Sequence, residues 1–234
     1  WLVHSTSMKA SNNDLGLYTQ FKLHIFPKKK PLLSLLAGYY VASPLVVKKY
    51  LPYSVMSKHL FLWLKQAFVG GKALQGKMIL RGHLSDFPFD KNQGVFQIDT
   101  KIKDIDLYFA KGWPLIRHIN ADLLFANRKM VINAHSAMIL NSKVPHVTAT
   151  IPNLNAPGGA SLLVDGKVSG HAADMIRFIN ESPLKKNVGQ VFKRLAVHGP
   201  VGLALKLDVP LSDTASTRVD GNIHFLNDKA EFAN

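Results

Sequence analysis

The sequence predicts a mainly β protein crossed by two short helical insertions, and three observations carry that reading. From residue 14 to residue 226, run after run alternates apolar with polar side chains, the period of a half-buried strand. Gly, Pro, Asn and Asp cluster between those runs at short intervals, as turns between strands require. Two stretches depart from this grammar, near 54–68 and 172–195, and place apolar residues at helical spacing instead. With 234 residues, 47% hydrophobic and 19% charged, the chain can bury a core as one large β domain or two small ones.

In order, residues 14–26 alternate through Leu15, Leu17, Phe21, Leu23 and Ile25, and Pro27-Lys28-Lys29-Lys30-Pro31 ends the strand. Residues 32–42 read as a mostly buried strand and 44–51 as a short helical turn. In 54–68, Met56, Leu60, Trp63, Leu64 and Ala67 form one apolar stripe, which reads as a face packed on a sheet; Gly70-Gly71 is expected to stop this helix. The stretch G-G-K-A-L-Q-G-K-M-I-L-R-G-H-L-S-D-F-P-F, 70–89, holds a strand at 77–81 and a turn through Phe87-Pro88-Phe89. Residues 95–103 alternate strictly, and Ile105, Leu107 and Phe109 continue the apolar side after a register step. Further strands are expected over 119–125, 130–134, 144–151, 160–169, 201–209 and 218–226, with Gly112-Trp113-Pro114 as a turn. Helices are expected over 172–180 and over 182–195, where Pro183 suits a first turn.

The motifs that could carry chemistry fail on context. Gly71-x4-Gly76-Lys77 matches most of a phosphate-binding loop, but Met78 stands where Ser or Thr must hold magnesium, and a helix precedes where a strand should. Asp104 and Asp106 share the outward side of a strand and read as solvated residues. His59, His83, His118, His135, His146, His171, His198 and His224 are scattered, without the i, i+4 helical pair of a zinc enzyme. Cys is absent, which removes disulfides, thiolate sites and Cys nucleophiles. Ser169 in G-K-V-S-G lacks the nucleophile elbow. The chain reads as non-enzymatic, with no cofactor and no metal.

A net charge of +14, with Glu only at Glu181 and Glu231, favours anionic partners. Nucleic acid is the weaker choice, because Lys and Arg are dispersed and the aromatics share the apolar side instead of interleaving with them. Residues 31–47 are uncharged, but shorter than the ~20 residues of a spanning helix and interrupted by Gly38, Ser43 and Pro44. The chain opens on Trp1, mid-pattern, so it is expected to be a piece of a longer polypeptide.

Tyr50-Leu51-Pro52, W-L-K-Q-A, the 70–89 stretch, G-W-P-L-I at 112–116, A-T-I-P-N-L at 149–154, D-M-I-R-F-I-N-E-S-P-L at 174–184 and L-A-L-K-L-D-V-P-L at 203–211 resemble, in the same order, the central region of the YhdP branch of the AsmA-like family of Gram-negative bacteria. The resemblance runs from about residue 14 to 232. It implies the periplasmic part of an inner-membrane-anchored protein, related in kind to TamB. It also implies an elongated, curved and twisted antiparallel sheet forming an open apolar groove, along which phospholipid moves between inner and outer membranes in support of outer-membrane integrity. The implied partners are phospholipid, the inner membrane through an anchor outside this sequence, and outer-membrane or envelope proteins. Under this reading residues 1–234 are one continuous groove segment, with a first block at about 14–109 and a second at about 115–232. A scaffold or tether without lipid traffic shares the fold and is the alternative function; a nucleic-acid module is a more distant one.

The residues alone leave two states open for the apolar side. Phe96, Ile98, Ile102, Leu107, Phe109, Leu123, Phe125 and Ile132 could form an ordinary closed core, or an uncovered groove that takes acyl chains. The resemblance selects the groove.

Overall fold

The computed structural model describes residues 1–51, 58–186, 195–196, 199–225 and 231–232. Among the described residues eleven antiparallel strands form one sheet in almost purely sequential order. They are β1 (Leu2–Ser11), β2 (Leu15–His24), β3 (Leu32–Val41), β4 (Phe68–Gly82), β5 (Val95–Leu107), β6 (Ile116–Ala126), β7 (Lys129–Ile139), β8 (Ser142–Ile151), β9 (Ser161–His171), β11 (Pro200–Pro210) and β12 (Arg218–Phe225). The short strands β10 (Leu195–Ala196) and β13 (Glu231–Phe232) pair separately. β1 and β12 stay apart as two edges, so the sheet is open rather than a barrel. It is an elongated, curved and twisted groove with an apolar inner side.

Sequential antiparallel pairing puts every second connection at the same rim. One rim carries the 3-10 turn Pro44–Lys49, the helix α1 (Lys58–Ala67), loop 108–115, the β7–β8 hairpin and the helix α2 (Ala172–Asn180). The other carries no α-helix among the described residues, only connections at 25–31, 83–94, 152–160 and 211–217, two of them with a single 3-10 turn (Leu84–Asp86 and Thr214–Ser216), besides the tight β6–β7 turn at Asn127. Both helices therefore lie at one rim and leave most of the inner side to the strands themselves. Among the described residues no helix is long and apolar enough to cross a membrane; residues 31–47 are β3 and the 3-10 turn.

Pairing register sets which side chains share the inner side. One row crosses ten strands as Leu17, Tyr39, Gly76, Thr100, Leu123, Ile132, Ala149, Val164, Leu207 and Val219. The next row reads Leu15, Val41, Leu74, Ile102, Ala121, Ala134, Val147, Gly166 and Leu205. The outer side carries Lys77, Lys101, Lys103, Asp165 and Lys206.

A line of irregularities runs across the sheet near the helical rim. β4 and β5 slip register between Phe68 and Gly70, β5 and β6 between Ile102 and Ile105, and β6 and β7 between Arg117 and Asn120. Asp104 and His118 take left-handed backbone at φ 53° and 54°. Bulges bend the strands that carry them, and six neighbouring side chains satisfy the polar groups this line exposes. Asn120 accepts from the Asp104 amide at 3.1 Å and donates to the Ser136 hydroxyl at 3.0 Å. Asp106 accepts from the His118 amide at 3.1 Å. Asp104 binds His118 Nδ1 and Lys72 Nζ, each at 2.8 Å, and Lys72 first, then His118, holds its carboxyl below the ordinary aspartate range. The two aspartates expected to be merely solvated are thus the ties of a bend.

The 70–89 stretch departs from expectation in one more respect. Gly70-Gly71 does not end the helix in a loop, because β4 begins at Phe68 directly after α1 and runs through both glycines. Gly71 (φ +128°) lies so close to β5 that a Cβ would stand 2.6 Å from the Asp104 carbonyl oxygen and 2.7 Å from Ile105 Cδ1; two bare backbones let the chain pass from helix to strand without a turn. The strand expected at 77–81 consequently spans Phe68–Gly82. At the loop rim Phe89 is fully buried between Gly82 and Gly94, and a Cβ on either would lie 2.5 Å from its ring. β1 was not legible in the sequence pattern. The helix expected over 54–68 is described from Lys58. The one expected over 182–195 falls mostly outside the described residues, and Leu195 at its end is in β10.

Candidate functional site

The inner side hollows into a trough of about 610 Å³ whose lining begins at the end of β5 and continues across β6–β9 and β11 to both rims. Side-chain size explains its position. Ala134, Ala137, Ala149, Gly166 and Gly170 all line it, and each withholds the bulk that Leu or Ile would add. The glycines are required where they are: a Cβ on Gly166 would run into Val147 Cγ2, and one on Gly170 into the Ser142 hydroxyl. The bare backbone of β9 at these two positions leaves room for Val147 and Ser142 of β8.

Toward β2–β4 the same side is filled. Val41, Leu74 and Ile105 form the filled end of a buried cluster that continues into the trough wall at Ile119, Ala134, Ala137 and Val144, and Val46 and Val47 of the 3-10 turn pack against it. The Tyr39 ring lies over Gly76, where a Cβ would stand 2.6 Å from Tyr39 Cζ, and its hydroxyl pairs with the Thr100 hydroxyl at 2.5 Å. Burial, the largest influence on it, raises the Tyr39 pKa.

The eight groove candidates fall at different places in this arrangement. Leu107, Phe109 and Ile132 line the trough. Leu123 and Phe125 pack with Phe109 and Ile132 against the buried cluster of Met130, Ile151, Leu162 and Val209. Ile102 packs on the Val41–Leu74 cluster. Ile98 stands opposite Met78 and Phe125 in register. Phe96 meets the ring of Phe87 edge-on at 5.2 Å, near the loop rim.

Several lining residues escaped the sequence reading. The small residues carry no signal until register shows that they face inward. Trp63, read as packed on a sheet, is half-buried, lines the trough, and donates its indole N–H to the Phe109 carbonyl at 2.7 Å. Trp113, read as part of a turn, also lines it. Polar groups are few and peripheral: Ser142, His171 and Asp174 at the helical rim, Asn155, Ser212 and Thr214 at the other. Among the described residues no three His, Cys, Asp or Glu come close enough to hold a metal ion. The trough offers non-directional apolar contact along its length, and hydrogen bonds at its rims.

Comparison with known proteins gives two findings. The chain is similar to the intermembrane phospholipid transporter YhdP of Escherichia coli (strain K12), with 26% identity over 183 residues, 78% of this chain. It spans 14% of that relative's length. No solved structure matches. The YhdP protein family matches residues 1–234, the whole sequence, and the chain therefore belongs to that family.

Proposed function

We propose that residues 1–234 form one continuous groove segment, with blocks at about 14–109 and 115–232, of an envelope-spanning protein that carries phospholipid between inner and outer membranes and supports outer-membrane integrity. In this reading the segment is non-enzymatic and periplasmic, and an anchor outside these residues ties the protein to the inner membrane. The observation that carries the reading is the trough on an open sheet, which at about 610 Å³ lies within the roughly 300–1,000 Å³ of ligand sites. The Escherichia coli relative, an intermembrane phospholipid transporter, supplies the ligand class.

The physics of the trough suits an acyl chain. Burying a methylene contributes about 0.8 kcal/mol, so a chain of about 16 carbons gains roughly 13 kcal/mol before ordering costs. Such contact has no preferred direction, so a tail can slide across Ala134, Ala149 and Val164 without breaking hydrogen bonds. Lys and Arg at the rims are available to anionic head groups; Lys48, Lys65, Lys111 and Lys185 are exposed at the helical rim.

Native mass spectrometry of the protein purified in mild detergent tests the reading. The expected spectrum contains species heavier by one phospholipid. A protein that never carries phospholipid would argue instead for a scaffold with the same fold.

A further inference from the structure

Four aromatic side chains bridge the trough at its helical rim. Trp63 of α1 donates to the Phe109 carbonyl at 2.7 Å. The Phe109 ring meets Trp113 edge-on, centroids 5.9 Å apart, and Trp113 meets Phe178 of α2 at 6.0 Å. All four line the trough. This chain of contacts starts at the helix preceding β4 and ends at the helix following β9. It therefore passes the rim ends of β6, β7 and β8, which α1 and α2 leave between them.

The two ends of the bridge are held differently. α2 is fixed: Asn141 donates to Asp174 at 3.0 Å, the Ala172 amide to the Gly199 carbonyl at 3.0 Å, and Met175 and Ile179 are buried against Val201. Loop 108–115 is held at its base, where the Tyr108 amide donates to the Ala67 carbonyl at 2.8 Å. Beyond the base it turns through Gly112 (φ +80°) and reaches α2 through the Trp113 ring against Phe178. Trp113 Nε1 is buried and meets no acceptor among the described residues. A buried N–H without an acceptor disfavours the closed arrangement. An indole that swings outward regains a partner in water or in an ester oxygen, the setting in which Trp collects at membrane interfaces.

We propose that loop 108–115 is a hinged strap across the trough, with Trp113 as its latch on Phe178, and that opening it forms a side port through which phospholipid acyl chains enter. The proposal rests on the reading of the trough as an acyl-chain site. It differs from simple end-to-end passage because it places an entrance within this segment.

The test uses the full-length protein and vesicles of phosphatidylethanolamine and phosphatidylglycerol containing a diazirine acyl chain. Timed exposure and light are followed by measuring label on the peptide containing Ala149. Phe178→Ala unlatches the strap and is expected to speed labelling about fivefold, the scale of one aromatic pair. A Trp113→Cys, Phe178→Cys pair joined by a reducible thiol-reactive linker is expected to slow labelling about tenfold, as a locked lid would, with recovery on reduction. This chain contributes no other thiol, and the linked protein before and after reduction is compared with itself, so a rate that does not change on reduction overturns the strap whatever Phe178→Ala does. Equal labelling rates in the native, unlatched and linked proteins would overturn the port and leave the acyl-chain reading standing. No label at Ala149 in any form would overturn that reading, and the port with it.

Discussion

Where β3, β4 and β5 meet, the inner row reads Tyr39, Gly76 and Thr100; where β7, β8 and β9 meet, the same row reads Ile132, Ala149 and Val164. Both regions are apolar, both belong to one sheet, and both alternate inward and outward at the same period. In the first region a large ring lies over a glycine and a 3-10 turn packs on the cluster beside it, so the protein completes its own interior. In the second, small residues follow one another across neighbouring strands and the interior stays hollow. Hydrophobicity decides which side faces in; side-chain volume, matched across strands, decides whether that side becomes core or container.

The comparison can be broken by substitution. The largest effect is expected from Ile105→Ala. Ile105 is 1% exposed at the centre of the filled cluster, and deleting such a side chain costs about 2–5 kcal/mol, read by denaturant unfolding. Next comes a matched pair. Ala37→Phe forces a ring into a site 2% exposed and is expected to cost about 1–3 kcal/mol. Ala149→Phe points the same ring into the trough and is expected to keep stability within about 1 kcal/mol while removing co-purifying phospholipid. Equal destabilisation by the two would mean that the second region is core as well.

The smallest effect is electrostatic. Lys30, Arg128 and Lys72 (with His118) hold Asp86, Asp90 and Asp104 below the ordinary aspartate range. Folded pKa values below the unfolded value of about 3.9 mean that their stabilisation is complete above that pH and is lost as pH falls through the folded values. Unfolding free energy should therefore drop below about pH 4, and Asp104→Asn should flatten part of that drop. These pairs are exposed, so added salt should shrink the difference.

Alternation made the strands legible, and the register step between Ile102 and Ile105 was visible as a break in that alternation. The bend was not, because Asp104 and Asp106 of β5 pair with Asn120 and His118 of β6 across two strands, and no spacing in the sequence joins them. The long β4 was hidden by Gly70-Gly71, whose usual meaning as a helix stop yields here to close packing against Asp104 and Ile105. Of the candidate groove residues, large hydrophobes stood out on an alternating strand, whereas the volume of the trough is set by alanines and glycines that look neutral until register aligns them.

The account stands most directly on what the trough touches in cells. A photo-crosslinking phenylalanine analogue placed in turn at Ala149, on the inner side, and at Leu163, 42% exposed on the outer side, reads that contact. Phospholipid adducts at position 149 and none at 163 are the expected result. Protein adducts alone at 149, or equal lipid labelling at both positions, would contradict it.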